Sequence, residues 1–594
     1  MLQPLDIAII FGWLGLTFVA GLWFSAKASA STDDFFVTDR SLPWWVIGTS
    51  MVATTFAADT PLAVSGYVAA AGISDNWKWW FSAVGALCTV FLFARLWRRS
   101  EVVTEAELVE FRYGGQASRA LRGVKAIWFG VFMNMLVVAW VMRAMRKVVE
   151  VVLGIGPDSM TLGVPTGILV VLVLFVLAVA YTGSAGLYGV IATDIVQFAL
   201  AMTGSILLAI LSWRAAGGLE GITTAFAVHG FDWGQTTALV PLDDPDPDGA
   251  TMKFVLLMGV MWWAARNVDG GSYLAQRLFS AKDENHAMWG YLWFTIANIC
   301  LRPWPWIVVG LCGMAVLGPL EDPEKYYPMM MVEVLPVGLF GLLVASFLAA
   351  FMSTIDTQLH WGASMLINDV YRRFLNPKAP DAHMLKASRI AVVLLGIIGA
   401  MASFAIEDIR FAWELALAIT AGIGAVNIGR WYWWRVNAWS EFAAMGVAAL
   451  GTLAFKLLRT TEFAGTLPEG WMSFPFDAVV ITAVSLPIWV GVTLLTAPGE
   501  REHLRTFYRR VRPGGPGWRA VAGDIEGFDN DGPSRGTFLG IAAGCAGIYG
   551  VLLGVGSLII GQWTAAGGWL LLAAIGTGLM AYQVTVETSR KPVA

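Results

Sequence analysis

The chain has few of the residues that enzymes and nucleic-acid-binding proteins use. Only 14% of its 594 residues are charged, the formal net charge is −4, and there are four cysteines and five histidines. The cysteines show no paired or metal-ligand spacing, and no His/Ser/Asp constellation stands out in the apolar segments. We therefore expect no enzyme, no resident metal centre and no nucleic-acid partner.

Apolar sequence is abundant instead. Hydrophobic residues make up 57% of the chain, and the mean hydropathy is +0.64. A run of about 20 apolar residues crosses the roughly 30 Å of bilayer hydrocarbon, and by that criterion the sequence predicts an all-α integral membrane protein with about 15 transmembrane helices. The predicted spans lie near 5–27, 43–72, 78–97, 124–154, 162–183, 186–213, 252–276, 288–318, 329–370, 387–406, 410–434, 438–459, 473–496, 536–560 and 564–587.

Lysine and arginine are concentrated in alternate connections, near 95–125, 371–389 and 497–536. By the positive-inside rule these loops face the cytoplasm, which places the N-terminus outside and the C-terminus inside a cell membrane. The chain begins MLQPLD, an acidic rather than basic start, so the first apolar run is expected to remain as a spanning helix and not to be a cleaved signal.

Two predicted spans contain residues that break helices. The span 43–72 includes VATTFAADTPLAVSG, and the span 252–276 includes WWAARNVDGG. They occupy corresponding places in two five-helix blocks, as in transporters built from inverted repeats, although Pro and Gly also kink ordinary packed helices. The predicted organisation is 1–30 an extra N-terminal helix, 43–213 the first repeat, 214–251 an acidic extracellular loop, 252–435 the second repeat, 438–496 two additional helices, 497–535 a basic cytoplasmic loop, and 536–588 two C-terminal helices.

The stretch 342–374 is a long apolar segment with Ser353, Thr354, Asp356 and Thr357 in its middle. Hydroxyls and a carboxylate at bilayer depth indicate an ion site. For the hydroxyls alone, bonding back to the preceding helical turn is the alternative. The loop 497–535 has a basic first half suited to anionic lipid, and its Gly/Pro/Asp-rich second half is expected to be mobile.

Four separated stretches resemble the sodium:solute symporter family: STDDFFVTDRSLPWW (31–45), VVTEAELVEFRYG (102–114), YTGSAGLYGVIATDIVQ (181–197) and the 342–374 segment. The third departs from the family pattern at Ala185, where a glycine is usual. The resemblance covers roughly residues 5–460. It implies a five-plus-five inverted-repeat (LeuT-type) transporter that carries a solute by alternating access with sodium as the co-transported ion.

The resemblance also implies a sodium site between the first and eighth core helices. Carbonyl oxygens of Ala53, Phe56 and Ala350 and hydroxyl oxygens of Ser353 and Thr354 would surround the ion. An unwound segment frees carbonyls from helix hydrogen bonding, which suits a hard monovalent cation.

A second cation site is implied at Asp194, together with Ser353, Asp356 and Thr357. The last three share a helix face because they are spaced by three and four residues. Asp356 stands where the family has a hydroxyl, so it could bind sodium, carry a proton or pair with a neighbouring cation.

The residues that recognise sugars in one branch of the family are not kept at the approximate matches Trp79, Thr60, Ala264 and Asn298. Arginine pairs with carboxylates and aspartate with ammonium groups, so the charged residues near the two breaks favour an amino acid, another zwitterion or a small organic acid. Mutual neutralisation of Arg266 and Asp269 is the alternative. The candidate substrate residues are Asp59, Thr60, Trp80, Trp263, Arg266, Asn267, Asp269 and Glu414.

The sequence thus predicts a sodium-coupled secondary active symporter for a small polar organic solute, working as a monomer in contact with membrane lipid. A sodium/sugar symporter, a proton-coupled symporter and a solute sensor built on a symporter fold are the alternatives. A sensor is expected to carry a signalling domain, whereas only SRKPVA follows Thr588.

Overall fold

The computed structural model describes residues 2–25, 40–156, 159–246, 249–406, 408–466, 468–528 and 532–589. Residues 31–39 of the first family-like motif lie outside this range, and so does most of the SRKPVA tail. Within the described residues the only strands are Met160–Thr161 and Val164–Pro165, which pair antiparallel. Everything else that is regular is helical.

The first half of the chain contains a series of α-helices. They are Pro4–Ser25, Trp44–Thr54, Asp59–Ala71, Trp77–Trp80, Ser82–Cys88, Ala94–Ser100, Glu105–Tyr113, Gly115–Ile127, Asn134–Leu153, Thr166–Ala215, Gly218–His229, Trp233–Thr237, Ala250–Leu256, Trp262–Ala264, Tyr273–Phe279 and Glu284–Ile296. Short π-helical segments, Thr89–Phe93, Trp128–Met133, Leu257–Met261 and Ala297–Leu301, continue several of them without a break in direction.

The second half of the chain is also built from α-helices. Its α-helices are Pro303–Leu317, Tyr326–Val334, Leu339–Met365, Asp381–Ala402, Ile409–Ile419, Ile423–Tyr432, Ala438–Leu458, Phe476–Leu495, Arg501–Val511, Arg519–Ala522, Arg535–Ile559 and Trp563–Ser589. A π-helical segment, Leu366–Leu375, extends the Leu339 helix.

Ten helices among the described residues are long and apolar enough to cross a membrane, or eleven if the bent pair Ile409–Ile419 and Ile423–Tyr432 is one span. Shorter apolar helices occur at Pro4–Leu16, Thr166–Val179 and Ala250–Ala264. The molecule is therefore a helical membrane protein, while the predicted number of 15 spans stays a prediction.

Both predicted helix breaks are confirmed. The Trp44 helix ends at Thr54 and the chain is unwound until Asp59. In the second break the backbone is extended at Ala265, forms one 3-10 turn, and has a left-handed Gly270 (φ 79°) before a new helix begins at Tyr273. A Cβ on Gly270 would lie 2.5 Å from the side chain of Thr89, so the close approach there requires glycine.

One element differs from the sequence-based expectation. Two spans are predicted at 162–183 and 186–213, but a single helix runs from Thr166 to Ala215. Three glycines, Gly183, Gly186 and Gly189, lie at the predicted junction, but no proline does, and glycine weakens a helix without removing a backbone hydrogen bond.

The N-terminal helix is fastened to the helix that carries Ser353. The Asp6 carboxylate accepts hydrogen bonds from the backbone N–H groups of Gly338 (2.7 Å) and Gly341 (2.8 Å). These N–H groups lie at the start of the Leu339 helix, where no intrahelical acceptor exists. A negative charge there also interacts favourably with the positive end of the helix dipole. Asp6 therefore caps a neighbouring helix.

The 497–535 loop is more ordered than the sequence suggests. Residues 501–528 fold into helices that pack on the end of the bundle carrying the basic loops, which we call the basic end. The indole of Trp518 is fully buried, donates to the Trp431 carbonyl (2.7 Å) and stacks on Phe507. The Arg112 guanidinium lies 4.6 Å from the Trp518 ring. The aromatic residues of this segment are thus packed against the protein.

We expect Trp518→Ala to destabilise the folded protein by about 3–5 kcal/mol, because a fully buried indole leaves a cavity and an unpaired Trp431 carbonyl. Trp563→Ala is the matched control, since that side chain is 71% exposed. Thermal unfolding in detergent measures the difference. Equal melting temperatures for the two variants would show that the segment is not docked.

Candidate functional site

A cavity of about 360 Å³ lies between the two helix breaks. Thr54, Thr55, Asp59 and Thr60 of the first break line one side of it, and Ala265, Arg266 and Asn267 of the second line another. The remaining wall includes Met133, Trp140, Tyr273, Arg302, Gln358 and Trp413. The volume fits a small organic molecule.

Asp59 is the first residue of the helix that follows the first break, and only 2% of it is exposed. The Trp413 indole donates to its Oδ2 at 2.9 Å, while its Oδ1 has no hydrogen-bond partner. A buried carboxylate oxygen without a donor is costly, which indicates that a donor on a bound molecule completes it.

Arg302 contributes a positive charge to the same cavity. It immediately precedes the Pro303 helix and is 3% exposed. Its Nη1 donates to the Thr55 hydroxyl (2.7 Å) and the Val52 carbonyl (3.3 Å), both at the first break. Its Nε has no acceptor, and none of the described carboxylates lies within salt-bridge distance of it.

Arg266 also lines the cavity, but its guanidinium is bound by residues that lie outside the cavity wall. Its Nη2 bonds to Glu105 (3.0 Å), and the guanidinium lies 3.7 Å from the centre of the Phe129 ring. Its partner is therefore not Asp269, which was the alternative considered from sequence. Asn267, the next residue, is exposed to the cavity.

Neutral polar groups in the cavity wall also lack partners. The unpaired buried atoms include Oδ1 of Asn134, Oδ1 of Asn298, Oε1 of Gln358 and Oγ of Ser272. The Asn134 amide nitrogen is oriented by the Gln358 carbonyl at 2.6 Å. With Asp59 Oδ1 these atoms offer several hydrogen-bond acceptors, whereas Arg302 Nε is a donor. A ligand that carries several N–H or O–H groups would satisfy this set.

Four of the predicted substrate residues are placed elsewhere. Asp269 is fully buried and bound by Arg430 (2.6 Å) and by the Trp431 indole (2.8 Å). Glu414 pairs with Lys78 at 2.9 Å. Trp80 and Trp263 do not line the cavity, whereas Trp79 and Trp413 do. In helices that are apolar on every side, sequence does not show which tryptophan faces inward.

A buried cluster of charged residues at the basic end, which we call the basic-end ion network, adjoins the cavity through Arg266. Short contacts join Arg430 to Asp269 (2.6 Å) and Lys125 to Glu441 (2.7 Å). Longer contacts of 3.8–3.9 Å connect Arg430 and Lys125 to Glu105. The members are Glu105, Lys125, Arg266, Asp269, Arg430 and Glu441.

Outside this network, the basic end has a half-buried ion pair. Glu110 accepts hydrogen bonds from Arg373 at 2.6 and 3.0 Å. These bonds lower the pKa of Glu110 below its usual value, and Arg122 acts in the same direction. The pair joins the Glu105 helix to the end of the Leu339 helix at physiological pH.

One residue of the predicted sodium site, Thr354, contacts the first break directly. The Thr354 hydroxyl donates to the Thr54 carbonyl at 3.0 Å, which sets the Leu339 helix against the unwound segment. All five predicted residues are buried, with exposures of 2–4%. Phe56 lies in the unwound segment and Ala53 in the last turn of the helix before it, and the Phe56 N–H donates to the Ala53 carbonyl at 3.0 Å.

The predicted second cation site contains an arginine that the sequence analysis did not consider. Asp194 accepts hydrogen bonds from Ser353 (2.6 Å) and Ser50 (2.5 Å), and the Arg277 guanidinium lies 3.8 Å from it. Arg277 also donates to Thr357 at 2.7 Å. Asp356 lies on the same helix as Thr357; its side chain is buried and has an interaction partner.

Arg277 and Arg302 could have been found from sequence. Each lies within or beside an apolar stretch, in YLAQRLF and NICLRPWPW, and an ionisable residue at bilayer depth is a signal of function. The same signal identified the two helix breaks.

Known proteins with similar sequences are transporters. The chain is 24% identical to the sodium/glucose cotransporter 4 of Danio rerio over 592 residues, covering 90% of this chain and 87% of the relative. It is also 24% identical to the sodium/glucose cotransporter of Vibrio parahaemolyticus, covering 83% and 91%. A sodium/myo-inositol cotransporter 2 of Sus scrofa is 22% identical, covering 86% and 80%.

The fold is shared with a solved transporter. A Na+-coupled sialic acid symporter superimposes with a TM-score of 0.63 at 19% sequence identity, covering 84% of this chain and 99% of that one. The model of the sodium:solute symporter family matches residues 35–447. With its broken helices and central cavity, this multi-pass membrane protein belongs to the sodium:solute symporter family.

Proposed function

We propose that the protein imports a small zwitterion whose ammonium group carries N–H donors, such as an amino acid, together with sodium by alternating access. The observation that carries the proposal is the pair of unsatisfied charged atoms in one cavity, Asp59 Oδ1 and Arg302 Nε. A ligand with an ammonium group and a carboxylate would satisfy both atoms. Most ligands without charge would leave both charges buried and incompletely paired.

Sodium coupling is a property of the family, and we place the ion at the first break. The ligands would be carbonyl oxygens of Ala53, Phe56 and Ala350 and the hydroxyls of Ser353 and Thr354; all five residues are buried, and Thr354 lines the cavity. A sodium ion there would neutralise the carbonyl dipoles that the unwound segment exposes. Because Thr54 and Thr55 border both places, sodium binding would order the wall that receives the solute.

The lysines and arginines of the basic end indicate how the protein is oriented in the membrane. Its loops carry the lysines and arginines that the positive-inside rule assigns to the cytoplasm. The basic-end ion network is buried and adjoins the cavity through Arg266, and we take it to close the cavity on that side. We therefore assign this conformation to the state that is closed toward the cytoplasm, with the N-terminus outside.

A sugar or another polyol is the second candidate, because the relatives named above are described as glucose and inositol cotransporters. The unpaired amide and hydroxyl oxygens of Asn134, Asn298, Gln358 and Ser272 are compatible with sugar hydroxyls. Asp59 and Arg302 distinguish the two candidates, since a sugar offers no charge to either.

A thermal-shift screen of the purified protein tests the proposal. Ligands that bind only the folded state raise its melting temperature. We expect amino acids to raise it in sodium chloride and to do so much less in potassium chloride. Sodium-dependent stabilisation by hexoses or polyols alone would contradict the zwitterion assignment. Stabilisation that is equal in the two salts would contradict sodium coupling.

A further inference from the structure

Arg277 lies where the family resemblance would put a second cation. The helix Tyr273–Phe279 begins directly after the second break and directs Arg277 toward the first. The guanidinium is fully buried, and its Nη2 donates to the hydroxyls of Thr54 (3.1 Å) and Thr357 (2.7 Å). Its Nε donates to Ser50 at 3.3 Å. A permanent positive charge thus lies among oxygen atoms that could otherwise bind a metal ion.

The oxygens of this region are already committed to donors. Both carboxylate oxygens of Asp194 are bound, Oδ1 by the Ser353 hydroxyl and Oδ2 by the Ser50 hydroxyl. These two hydroxyls direct their hydrogens at Asp194, so each carboxylate oxygen already has one hydrogen-bond donor, and the Arg277 guanidinium lies 3.8 Å away as a positive neighbour. The Thr357 hydroxyl oxygen is also engaged, because it accepts a hydrogen bond from the Arg277 guanidinium.

Charge leads to the same conclusion. An arginine side chain stays protonated in proteins, so Asp194 has a positive neighbour in every state that keeps this contact. A sodium ion between Asp194 and Thr357 would adjoin the guanidinium, and two like charges repel strongly where water is excluded. Asp194 therefore needs neither a sodium ion nor a proton to be neutralised.

We propose that Arg277 acts as a tethered cation that fills the second cation site, so that the protein binds and transports one sodium ion per cycle. The inference rests on the proposed sodium-coupled function. In this proposal the Ser353 hydroxyl oxygen binds the sodium ion of the first site through its lone pairs, while the same hydroxyl donates its hydrogen to Asp194. Transport of a zwitterion would then move one net charge per cycle.

Equilibrium binding of radioactive 22Na+ to the purified protein tests this inference without knowledge of the solute. We expect saturation at one sodium ion per wild-type chain with a Hill coefficient of one. Thr354→Ala should remove most of this binding in the same concentration range, because it alters the first site. Two ions per wild-type chain would overturn the inference.

Arg277→Gln provides the positive test, because it removes the charge and keeps two hydrogen-bond donors. We expect the folded variant to bind two sodium ions per chain, as Asp194 and Thr357 become available. Arg459→Gln is the control, since Arg459 pairs with Asp477 (3.0 Å) far from the cavity, and it should bind one. A folded Arg277→Gln protein that still binds one ion would contradict the inference.

If Arg277→Gln does not fold, the wild-type ion count and Hill coefficient decide the question alone. The failure of the proposed function gives a different result, because a wild-type protein that binds no sodium would refute sodium coupling itself. The two hypotheses can therefore be told apart in a single set of binding curves.

Discussion

Replacing Asp59 by Asn or Arg302 by Gln is expected to reduce the apparent affinity for a zwitterionic solute by roughly 30-fold to several thousand-fold. Removing one partner of a buried, hydrogen-bonded charge pair costs about 2–5 kcal/mol, and each 1.4 kcal/mol is a factor of ten. Both residues are at least 97% buried. Sodium-driven uptake into proteoliposomes measures the loss as a function of solute concentration.

Ligand analogues make this prediction specific. If Arg302 binds a carboxylate, an analogue without that carboxylate should bind weakly to the wild type and no more weakly to Arg302→Gln. The same comparison applies to Asp59→Asn and an analogue without the ammonium group, following the logic of a double-mutant cycle. Asp477→Asn is the control, since this carboxylate is also buried but pairs with Arg459 away from the cavity. Unchanged affinity in both cavity variants would rule out the charge assignment.

Thr354→Ala is expected to raise the sodium concentration for half-maximal uptake by roughly ten- to a hundredfold. A hydrogen-bonding or ligand oxygen lost from a charged group costs about 1.5–3 kcal/mol. The variant also breaks the contact between Thr354 and the Thr54 carbonyl, which positions the unwound segment. Ser353→Ala should act in the same direction, with an additional effect on Asp194, whose Oδ1 it leaves without a donor.

Ser364→Ala is a suitable comparison for the sodium prediction. It removes a hydroxyl from the same helix at the same burial, 1% exposed, but it lies almost three turns from Thr354. Its sodium dependence should equal that of the wild type. A Thr354→Ala protein with wild-type sodium dependence would mean that the ion binds elsewhere.

The sequence was a reliable guide to features that are local in the chain. Both breaks were predicted because Thr, Asp, Pro and Gly interrupt apolar runs, and each of those residues has a local reason not to continue a helix. The hydroxyls at 353 and 354 were found in the same way. Polar residues in a membrane span are conspicuous regardless of what surrounds them.

Pairing between distant residues was not accessible in this way. Arg430 and Asp269 are 161 residues apart, and so are Arg266 and Glu105. Sequence showed that Arg266 and Asp269 are close to each other, and spacing suggested that they pair, yet each binds a partner from another helix. Tertiary packing decides which charges meet, and one arginine at position 277 changes the interpretation of a whole cation site.

The basic-end ion network has a consequence for how an ion would leave the protein. Its members are three carboxylates, Glu105, Asp269 and Glu441, and three cations, Lys125, Arg266 and Arg430. In the proposed alternating-access cycle, these six side chains would form the wall of the exit when this end opens, and their charges sum to zero. Such a wall neither holds a departing sodium ion nor repels it. Release would then depend on the low sodium concentration of the receiving compartment, and the exit would favour no particular charge on the solute.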